Sequence, residues 1–237
     1  MLKKIDQEYA KVPCTRKVQI FEPLSNDEIF KIAAMTTHKK FKKGQLIIHE
    51  GEQLDSLFII NRGQIKLSKL TTQGKQQILH ILKNGESFCE LNILNPEEES
   101  NFSAYAMEET EICILTKSKM DSIMQKNPSI VLKLLKTVSQ RLMHAENLVH
   151  NLAISDPEIR LSYAILELCE KYGETTDMGI FIDLTLTREE VANYIGVTRE
   201  TVSRKISKFE KMGLITSVAN KKLIVKNKVA LQKIRNG

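Results

Sequence analysis

Tryptophan is missing from this chain of 237 residues, and aromatic residues make up only 5% of it. Aliphatic side chains must therefore fill most of any core, and a hydrophobic content of 42% is enough to build one. Long apolar runs are also missing: the longest, such as Leu57–Ile60, span four residues, whereas a membrane-spanning helix needs roughly 20. The N-terminal segment carries charges but lacks the apolar stretch of a secretory signal. These absences predict a cytoplasmic protein without membrane segments.

Cysteine pairs of the C-x-x-C type are absent, although cysteines occur at positions 14, 89, 113 and 169. Zinc ribbons and thioredoxin-type sites depend on that spacing, so neither is expected. The histidines are scattered, and His144 and His150 fall on different faces of a helix. The sequence also has no Ser/His/Asp set, P-loop or dinucleotide fingerprint. We therefore expect neither a metal site nor an enzyme.

Positive charge is concentrated at the C-terminal end of the chain. Residues 196–237 hold eleven Lys or Arg residues against two acids, a net charge of +9, whereas the whole chain has a net charge of +6. A basic segment of this kind is typical of a surface that binds a polyanion. A merely solvated basic surface is the alternative, and charge alone does not separate the two interpretations.

The first half of the chain has the pattern of a small β domain. Glycines at positions 44, 51, 63, 74 and 85 separate short runs of β-forming residues between residues 41 and 115. Short strands at this spacing predict an antiparallel sandwich or barrel. Ahead of it, Ser25 and Glu28 have the spacing of a capping box, which predicts a short helix over residues 25–35.

A long helix is predicted after Asn127 and Pro128. Small and apolar residues recur there in alternating steps of three and four, the pattern of a coiled-coil seam. An amphipathic helix lying on its own domain is the alternative, but the narrow stripe favours pairing with a second helix. The seam consists of Leu135, Val138, Leu142, Ala145, Val149 and Leu152.

Another helix start follows, where Ser155 and Glu158 have capping-box spacing and Pro157 lies in the first turn. This start places a domain boundary near residues 153–156. Farther along, residues 187–209 read "TREEVANYIGVTRETVSRKISKF". Thr187 and Thr198 are suited to cap two short helices, and Gly196 supplies the turn between them. A helix, a glycine-containing turn and a second helix form the helix-turn-helix unit.

The second helix of this unit carries side chains suited to reading DNA. Its apolar residues Val202, Ile206 and Phe209 share one face, which leaves Arg199, Glu200, Ser203 and Arg204 on the other. Arginine pairs with guanine, and glutamate accepts a hydrogen bond from cytosine. Backbone contacts are expected from residues able to meet phosphate. They are Thr198, Lys205 and Lys208, with Lys221 and Lys222 at the tip of a following β-hairpin.

A stabilised surface helix is the simpler interpretation, since Glu200 and Arg204 are four residues apart in the favourable order. That pair explains two residues only. It leaves the basic C-terminal end and the preceding helix and turn unexplained, so the sequence favours DNA binding.

The chain resembles the Crp/Fnr family of bacterial transcription regulators. The resemblance rests on "FKKGQLIIHEGEQLDSLFIINRGQIKLSKL" and "VTRETVSRKISKF", with the helical seam between them. It implies an α+β fold with a cyclic-nucleotide-binding-like antiparallel β-roll, a long dimerisation helix and a winged helix-turn-helix. The implied divisions are an N-terminal arm (1–20), the roll (21–126), the dimerisation helix (127–153) and the DNA-binding domain (154–237).

The resemblance also implies a homodimer that binds a two-fold symmetric site in double-stranded DNA, with RNA polymerase as a further partner. Arg199, Glu200 and Arg204 match the base-reading positions of the cAMP receptor protein, while Glu200, Ser203 and Arg204 match those of FNR. Half-sites containing T-G-A are therefore expected, with Arg204 on the guanine.

The stretch "NGESFCELNILNPEEESNFSAY" is similar to the phosphate-binding cassette of this family. Gly85, Glu86, Glu90 and Leu91 match its pattern, but Phe102 replaces the arginine that precedes Ser103. Eight glutamates and no basic residue lie between positions 84 and 116. A buried phosphate without a cation is strongly unfavourable. The sequence therefore argues against cAMP or cGMP as effector.

The cysteines leave two interpretations open. Cys113 matches the roll cysteine of FNR, but Cys14 alone remains of the N-terminal group, so the four thiolates of an iron–sulfur cluster are not available. A thiol-sensing regulator switched through Cys14 and Cys113 is one possibility, as in FNR-like proteins of Gram-positive bacteria. The favoured interpretation treats Cys89, Cys113 and Cys169 as small buried hydrophobes. A different class, a ligand-binding module acting on a protein partner, does not account for residues 187–225.

Overall fold

The computed structural model describes residues 14–183, 186–218 and 222–236. The chain forms two compact units. Unit 1 contains the residues up to Lys69 together with His80–Met143, and unit 2 contains Leu70–Leu79 and the chain from His144 onward. The division falls inside the long helix.

Two short 3-10 helices, Cys14–Lys17 and Gln19–Phe21, precede helix α1 (Asn26–Met35). The predicted capping box of α1 is confirmed, since Ser25 and Glu28 bond reciprocally to each other's backbone N–H. Eight strands then form the roll. They are β1 (Thr37–Phe41), β2 (Leu46–Ile48), β3 (Ser56–Arg62), β4 (Gln64–Leu70), β5 (Gln76–Lys83), β6 (Ser87–Phe88), β7 (Ser103–Ala106) and β8 (Thr110–Thr116).

The eight strands form two antiparallel sheets, in the orders β1-β8-β3-β6 and β2-β7-β4-β5. Strand β3 is apolar on both faces because each face meets a separate core. Leu57 and Ile59 pack in the cluster that includes α1, and Phe58 and Ile60 pack inside the roll. The apolar run Leu57–Ile60 is therefore a strand buried on both sides.

Three helices of very different length follow or interrupt the strands: α2 (Glu90–Leu94), α3 (Lys117–Lys126) and α4 (Pro128–Ala153). Only Ile130 and Leu134 of α4 are buried. Most of the predicted seam lies along another face that is open to solvent in the single chain: Leu135 is 64%, Leu142 60% and Val149 69% exposed. Val138 and Leu152 are only partly exposed, and Leu152 lies next to Gly196.

Unit 2 contains the helices α5 (Pro157–Tyr172), α6 (Arg188–Ile195), α7 (Arg199–Lys211) and α8 (Lys228–Asn236). Its antiparallel sheet has the order β11-β12-β10-β9. These strands are β9 (Gly173–Thr176), β10 (Gly179–Asp183), β11 (Ile215–Val218) and β12 (Lys222–Val225). The capping box expected at Ser155 is wrong: Asp156, immediately before Pro157, accepts the hydrogen bond from the Glu158 N–H.

The roll, the long helix and the C-terminal winged helix-turn-helix confirm the predicted fold class. Within the described ranges, no helix combines the length and apolar character that crossing a bilayer requires.

Candidate nucleic-acid interface

Local signals fix the turn between α6 and α7. Thr187 and Glu190 form a capping box at the start of α6, as the sequence predicts for Thr187. Gly196 ends the helix in the left-handed conformation, with a φ of 67°. A Cβ at this position would lie 2.8 Å from Leu152 Cδ2. The left-handed backbone conformation therefore favours glycine, and a larger residue would also displace the end of the Leu152 side chain.

Arg160 of α5 holds the end of α6 from outside the motif. Its Nη1 donates to the carbonyl oxygens of Ile195 and Gly196, each at 3.2 Å. These carbonyls belong to the last turn of α6, where a cation also meets the negative end of the helix dipole. The contact joins residues 35 and 36 positions apart, and sequence patterns gave no signal for it.

Helix α7 presents two distinct faces. Val202, Ile206 and Phe209 are buried, as predicted, and Thr198 caps the helix by accepting from the Thr201 N–H at 3.3 Å. The four residues assigned to base reading all have exposed side chains on the opposite side: Arg199, Glu200, Ser203 and Arg204. This helix can therefore enter a groove while its apolar face stays packed.

Strands β11 and β12 form the hairpin that follows α7. Two residues anchor its first strand: Arg188 donates to Ser217 Oγ at 2.8 Å, and Glu210 accepts from the Ser217 N–H at 3.0 Å. Lys222 makes an exposed ion pair with Asp183 at 3.1 Å. Such a pair contributes little and leaves the ammonium accessible. Lys221 lies outside the described residues.

Lys205 and Lys208 are not arranged as the sequence suggests. Both ammonium groups bind the carboxylate of Glu158 on α5, at 2.8 and 2.7 Å. The side chain of Lys205 is 21% exposed and that of Lys208 is 52% exposed. Lys205 therefore lies at the border of the packed face and serves the docking of α7, whereas Lys208 remains accessible to a phosphate.

The side chain of Glu158 is largely buried, with 12% of it exposed. Burial alone would raise the pKa of Glu158, but hydrogen bonds from Lys205 and Lys208 outweigh it and hold the pKa below the ordinary value. The carboxylate is thus ionised at neutral pH. The sequence analysis placed Glu158 in a helix cap, and its contact with the basic helix α7 was not predicted because the two residues that bind it lie in another element.

The cassette segment keeps its predicted turn. Gly85 has a φ of 82° and its N–H donates to the Ile60 carbonyl at 2.9 Å, while Glu86 accepts from the Lys83 N–H at 2.8 Å. Ser103 Oγ is already used, since it accepts from the Glu50 N–H at 3.0 Å. Phe102 is half-buried against the roll core, and Leu91 is exposed.

A cation does reach this segment, contrary to the expectation drawn from residues 84–116. Arg141 of α4 places Nε 3.0 Å from Glu90 Oε2 and Nη2 3.2 Å from Glu90 Oε1, and it donates to the Ser87 carbonyl. The Glu90 side chain is 3% exposed. The sequence argument failed here because the basic residue comes from a helix 51 positions away. Its charge is compensated by Glu90.

The cysteines separate into two kinds. Cys89 and Cys169 are free and buried, as the sequence predicts, and burial raises the pKa of both thiols, that of Cys169 to about 11. Neither is suited to react as a thiolate. Cys113 is fully buried but disulfide-bonded, so describing it as a simple buried thiol is wrong. The side chain of Cys14 lies outside the described part of the chain.

These features define a winged helix-turn-helix DNA-binding protein with a β-roll. Comparison with protein families agrees: residues 38–127 match the cyclic nucleotide-binding domain, and residues 159–234 match the Crp-like helix-turn-helix domain. The chain belongs to the Crp/Fnr family, whose members are transcription regulators and not enzymes.

Three similar proteins illustrate the range of the family. An anaerobic regulatory protein of Bacillus subtilis is 25% identical, with 85% of each chain covered. A CRP-like cAMP-activated global transcriptional regulator of Mycobacterium tuberculosis is 28% identical over 78% of this chain and 83% of its own. The solved structure of FixK2 from Bradyrhizobium japonicum has a TM-score of 0.74 at 21% identity, covering 84% of this chain and 96% of FixK2. It supports the fold.

Proposed function

We propose that this transcription regulator binds a two-fold symmetric DNA site as a homodimer, with half-sites that contain T-G-A. The observation that carries the proposal is the exposed face of α7, where Arg199, Glu200, Ser203 and Arg204 stand clear of a buried apolar face. Arg204 hydrogen-bonds the guanine, and Glu200 accepts from the complementary strand. The base-facing residues therefore determine which sequence is bound.

Dimerisation is supported by the exposed seam of α4. Leu135, Leu142 and Val149 are each at least 60% exposed although they are large and apolar. Side chains repeated at heptad spacing pack as knobs into the holes of a second helix. A second copy of this chain is the partner that matches a symmetric DNA site.

The DNA assignment predicts a specific loss for Arg204→Ala. Removing the bidentate contact should weaken binding to a T-G-A site by about 1–3 kcal/mol and relax the preference at the guanine. Lys222→Ala is the matched contrast, since its ammonium is accessible and losing a phosphate contact should weaken all sequences uniformly. Fluorescence anisotropy on the wild-type site and on sites with guanine replaced gives both values. Unchanged affinity and base preference for Arg204→Ala would overturn the assignment.

Glu158 should restrain DNA binding, because its carboxylate occupies the ammonium of Lys208. In Glu158→Gln the lysine is released to a phosphate, so affinity should rise. The slope of log K against log salt should steepen by about 0.9 for each added phosphate contact. The measurement is a salt titration of DNA affinity.

Glu170→Gln is the matched control for this experiment, because Glu170 lies on the same helix and is an exposed residue paired with Lys228 at 4.0 Å. Its affinity and slope should stay at the wild-type values. If Glu158→Gln binds more weakly with an unchanged slope, Glu158 only anchors α7 and does not compete with DNA.

The effector is proposed not to be cAMP or cGMP. Phe102 stands before Ser103 where the family pattern has arginine. Arg141, the cation that reaches the cassette, is bound to the buried carboxylate of Glu90. A cyclic phosphate placed there would meet a compensated cation and many glutamates, which makes burial of its negative charge unfavourable. Calorimetry with cAMP tests this, and no heat of binding is expected.

A thiol-switched regulator is the second candidate, favoured by the disulfide of Cys113. Its pairing with Cys14 stays a prediction. Cys113 belongs to strand β8 and lies opposite His38 of β1 and Ile59 of β3, so it is in the interior of a sheet. DNA affinity measured with and without dithiothreitol, for wild type and Cys113→Ser, tests the idea. Equal affinities in both conditions would remove it.

We also propose RNA polymerase as a partner and the bacterial cytoplasm as the place of action. Both follow from the proposed regulation of transcription and from the family to which the chain belongs. Whether the protein activates or represses depends on where its sites lie relative to promoters.

A further inference from the structure

A cleft in unit 1 is not accounted for by DNA binding, dimerisation or the cassette. It lies between the segment of residues 16–29 and one face of α4, and its volume is about 510 Å³. We call it the helix cleft. This volume is in the range of pockets that hold small molecules, roughly 300–1,000 Å³. Its polar and charged lining consists of Arg16, Glu22, Asn26, Lys133, Lys136, Thr137 and Gln140.

The floor of the helix cleft is apolar and consists of side chains packed in the core of unit 1. Val18, Leu24 and Ile29 line it and are all buried in the unit 1 core. Beneath them, Thr15 is fully buried and donates to the Ile29 carbonyl at 3.2 Å. The cleft therefore pairs an apolar base with a polar rim, the usual construction of a small-molecule site.

The rim carries an excess of positive charge. Glu22 binds Lys133 at 2.7 Å, and the hydrogen bond from Lys133 lowers the pKa of Glu22, so this carboxylate compensates one cation. Arg16 donates to the neutral amide oxygen of Asn26, and no carboxylate in the described part of the chain pairs with its guanidinium. Lys136 makes no hydrogen bond or ion pair within the described residues but acts on Glu22 through its charge, so this one carboxylate faces two lysines. Three cations thus meet one anion, and concave basic sites concentrate small anions.

Helix geometry keeps this cleft apart from the proposed dimer seam. Lys133, Lys136 and Gln140 follow one another by three and four residues and so share a face of α4. At 100° per residue, Gln140 points about 160° away from Leu142, a seam residue. A second helix packed on the seam would leave the helix cleft open.

We propose that the helix cleft binds a small organic dianion, a molecule with two negative charges and an apolar body. The charge of the ligand follows from the excess of two positive charges on the rim, where Arg16, Lys133 and Lys136 face Glu22 alone among the lining residues. The floor of Val18, Leu24 and Ile29 accommodates the apolar body. A guanidinium fork and a mobile ammonium suit either a phosphate or a pair of carboxylates. The two kinds of dianion are distinguished by experiment.

The test is calorimetry on the full-length protein at low salt, without DNA. Phenyl phosphate carries both charges on one group, and glutarate carries them on two. At least one of them should bind with a Kd below about 1 mM, equivalent to about −4.1 kcal/mol. The uncharged benzyl alcohol and glutaramide should give no heat. A preference between the two dianions identifies whether the natural ligand is a phosphate ester or a dicarboxylate.

Lys136→Ala is the decisive variant because it breaks no hydrogen bond or ion pair of the described residues and leaves the pair of Glu22 with Lys133 in place. It should weaken the bound dianion about tenfold, the loss of 1.4 kcal/mol expected for one charged contact. Lys126→Ala, an exposed lysine at the end of α3, should leave the affinity unchanged. If neither dianion binds, or if Lys136→Ala binds as wild type does, the proposal is overturned. The proposed function in DNA binding does not depend on this result, because the measurement contains no DNA.

Discussion

The double variant Leu142→Glu with Val149→Glu is expected to sediment as a monomer and to lose specific DNA binding. Both side chains are at least 60% exposed in the single chain, so the substitutions should leave the fold of each unit intact. In a paired helix they would place four carboxylates in a seam where each apolar side chain contributes about 1.5–3 kcal/mol. A monomer engages one half-site only and should lose about 10²–10⁴-fold in affinity.

A matched double variant separates a seam effect from a general effect of charge on α4. Gln140→Glu with Asn147→Glu has the same seven-residue separation, and both side chains are exposed on the opposite side of the helix. It should remain dimeric and bind DNA. Analytical ultracentrifugation and anisotropy on one symmetric site give both readouts. A Leu142→Glu, Val149→Glu protein that still sediments as a dimer would show that the seam lies elsewhere.

Arg141→Met is expected to lower the free energy of unfolding by about 3–5 kcal/mol, the usual loss when one partner of a buried ion pair is removed. The reason is the environment of Glu90, whose side chain is 3% exposed. Its remaining partner would be the Ser87 hydroxyl, which donates at 2.7 Å. A hydroxyl does not compensate a buried negative charge. Urea unfolding followed by circular dichroism gives the value.

A double-mutant cycle tests whether the loss comes from the pair itself. Adding Glu90→Gln to Arg141→Met removes the uncompensated charge, so the double variant should recover much of the lost stability. Lys117→Met is the control, because Lys117 pairs with Asp121 at 3.0 Å in an exposed i,i+4 arrangement worth about 0.3–0.5 kcal/mol. An Arg141→Met protein no less stable than that control would show that Glu90 needs no cation.

The helix-turn-helix could be predicted from the sequence because its determinants are local. Thr187, Gly196 and Thr198 each act within four residues of their own position. The same local rules erred at Ser155, where Asp156 followed by proline made the better cap. When two candidate capping residues are adjacent, the backbone geometry of the first turn decides which one caps the helix. Residue spacing alone does not reveal that geometry.

Charge arrangements across elements could not be predicted in this way. The cassette has no basic residue of its own, yet Arg141 reaches Glu90 from α4. Lys205 is of a residue type suited to contact phosphate, yet its ammonium binds Glu158 of α5. In both cases the partner is more than 40 residues away in sequence. The sequence shows how many charged residues a segment contains. Which of them form ion pairs depends on how the helices pack, and the sequence of one segment does not contain that information.

The division of the chain inside α4 determines which fragments can work alone. The C-terminal segment of unit 2 begins at His144 within an unbroken helix that ends at Ala153. A fragment starting there keeps Ala145, Val149 and Leu152 but loses the other half of the seam. Since a buried apolar side chain contributes about 1.5–3 kcal/mol, the fragment loses about half of the stabilisation that the full seam provides. The isolated C-terminal fragment should therefore be monomeric and bind single half-sites, so the proposed recognition of a symmetric target would depend on a helix that both units share.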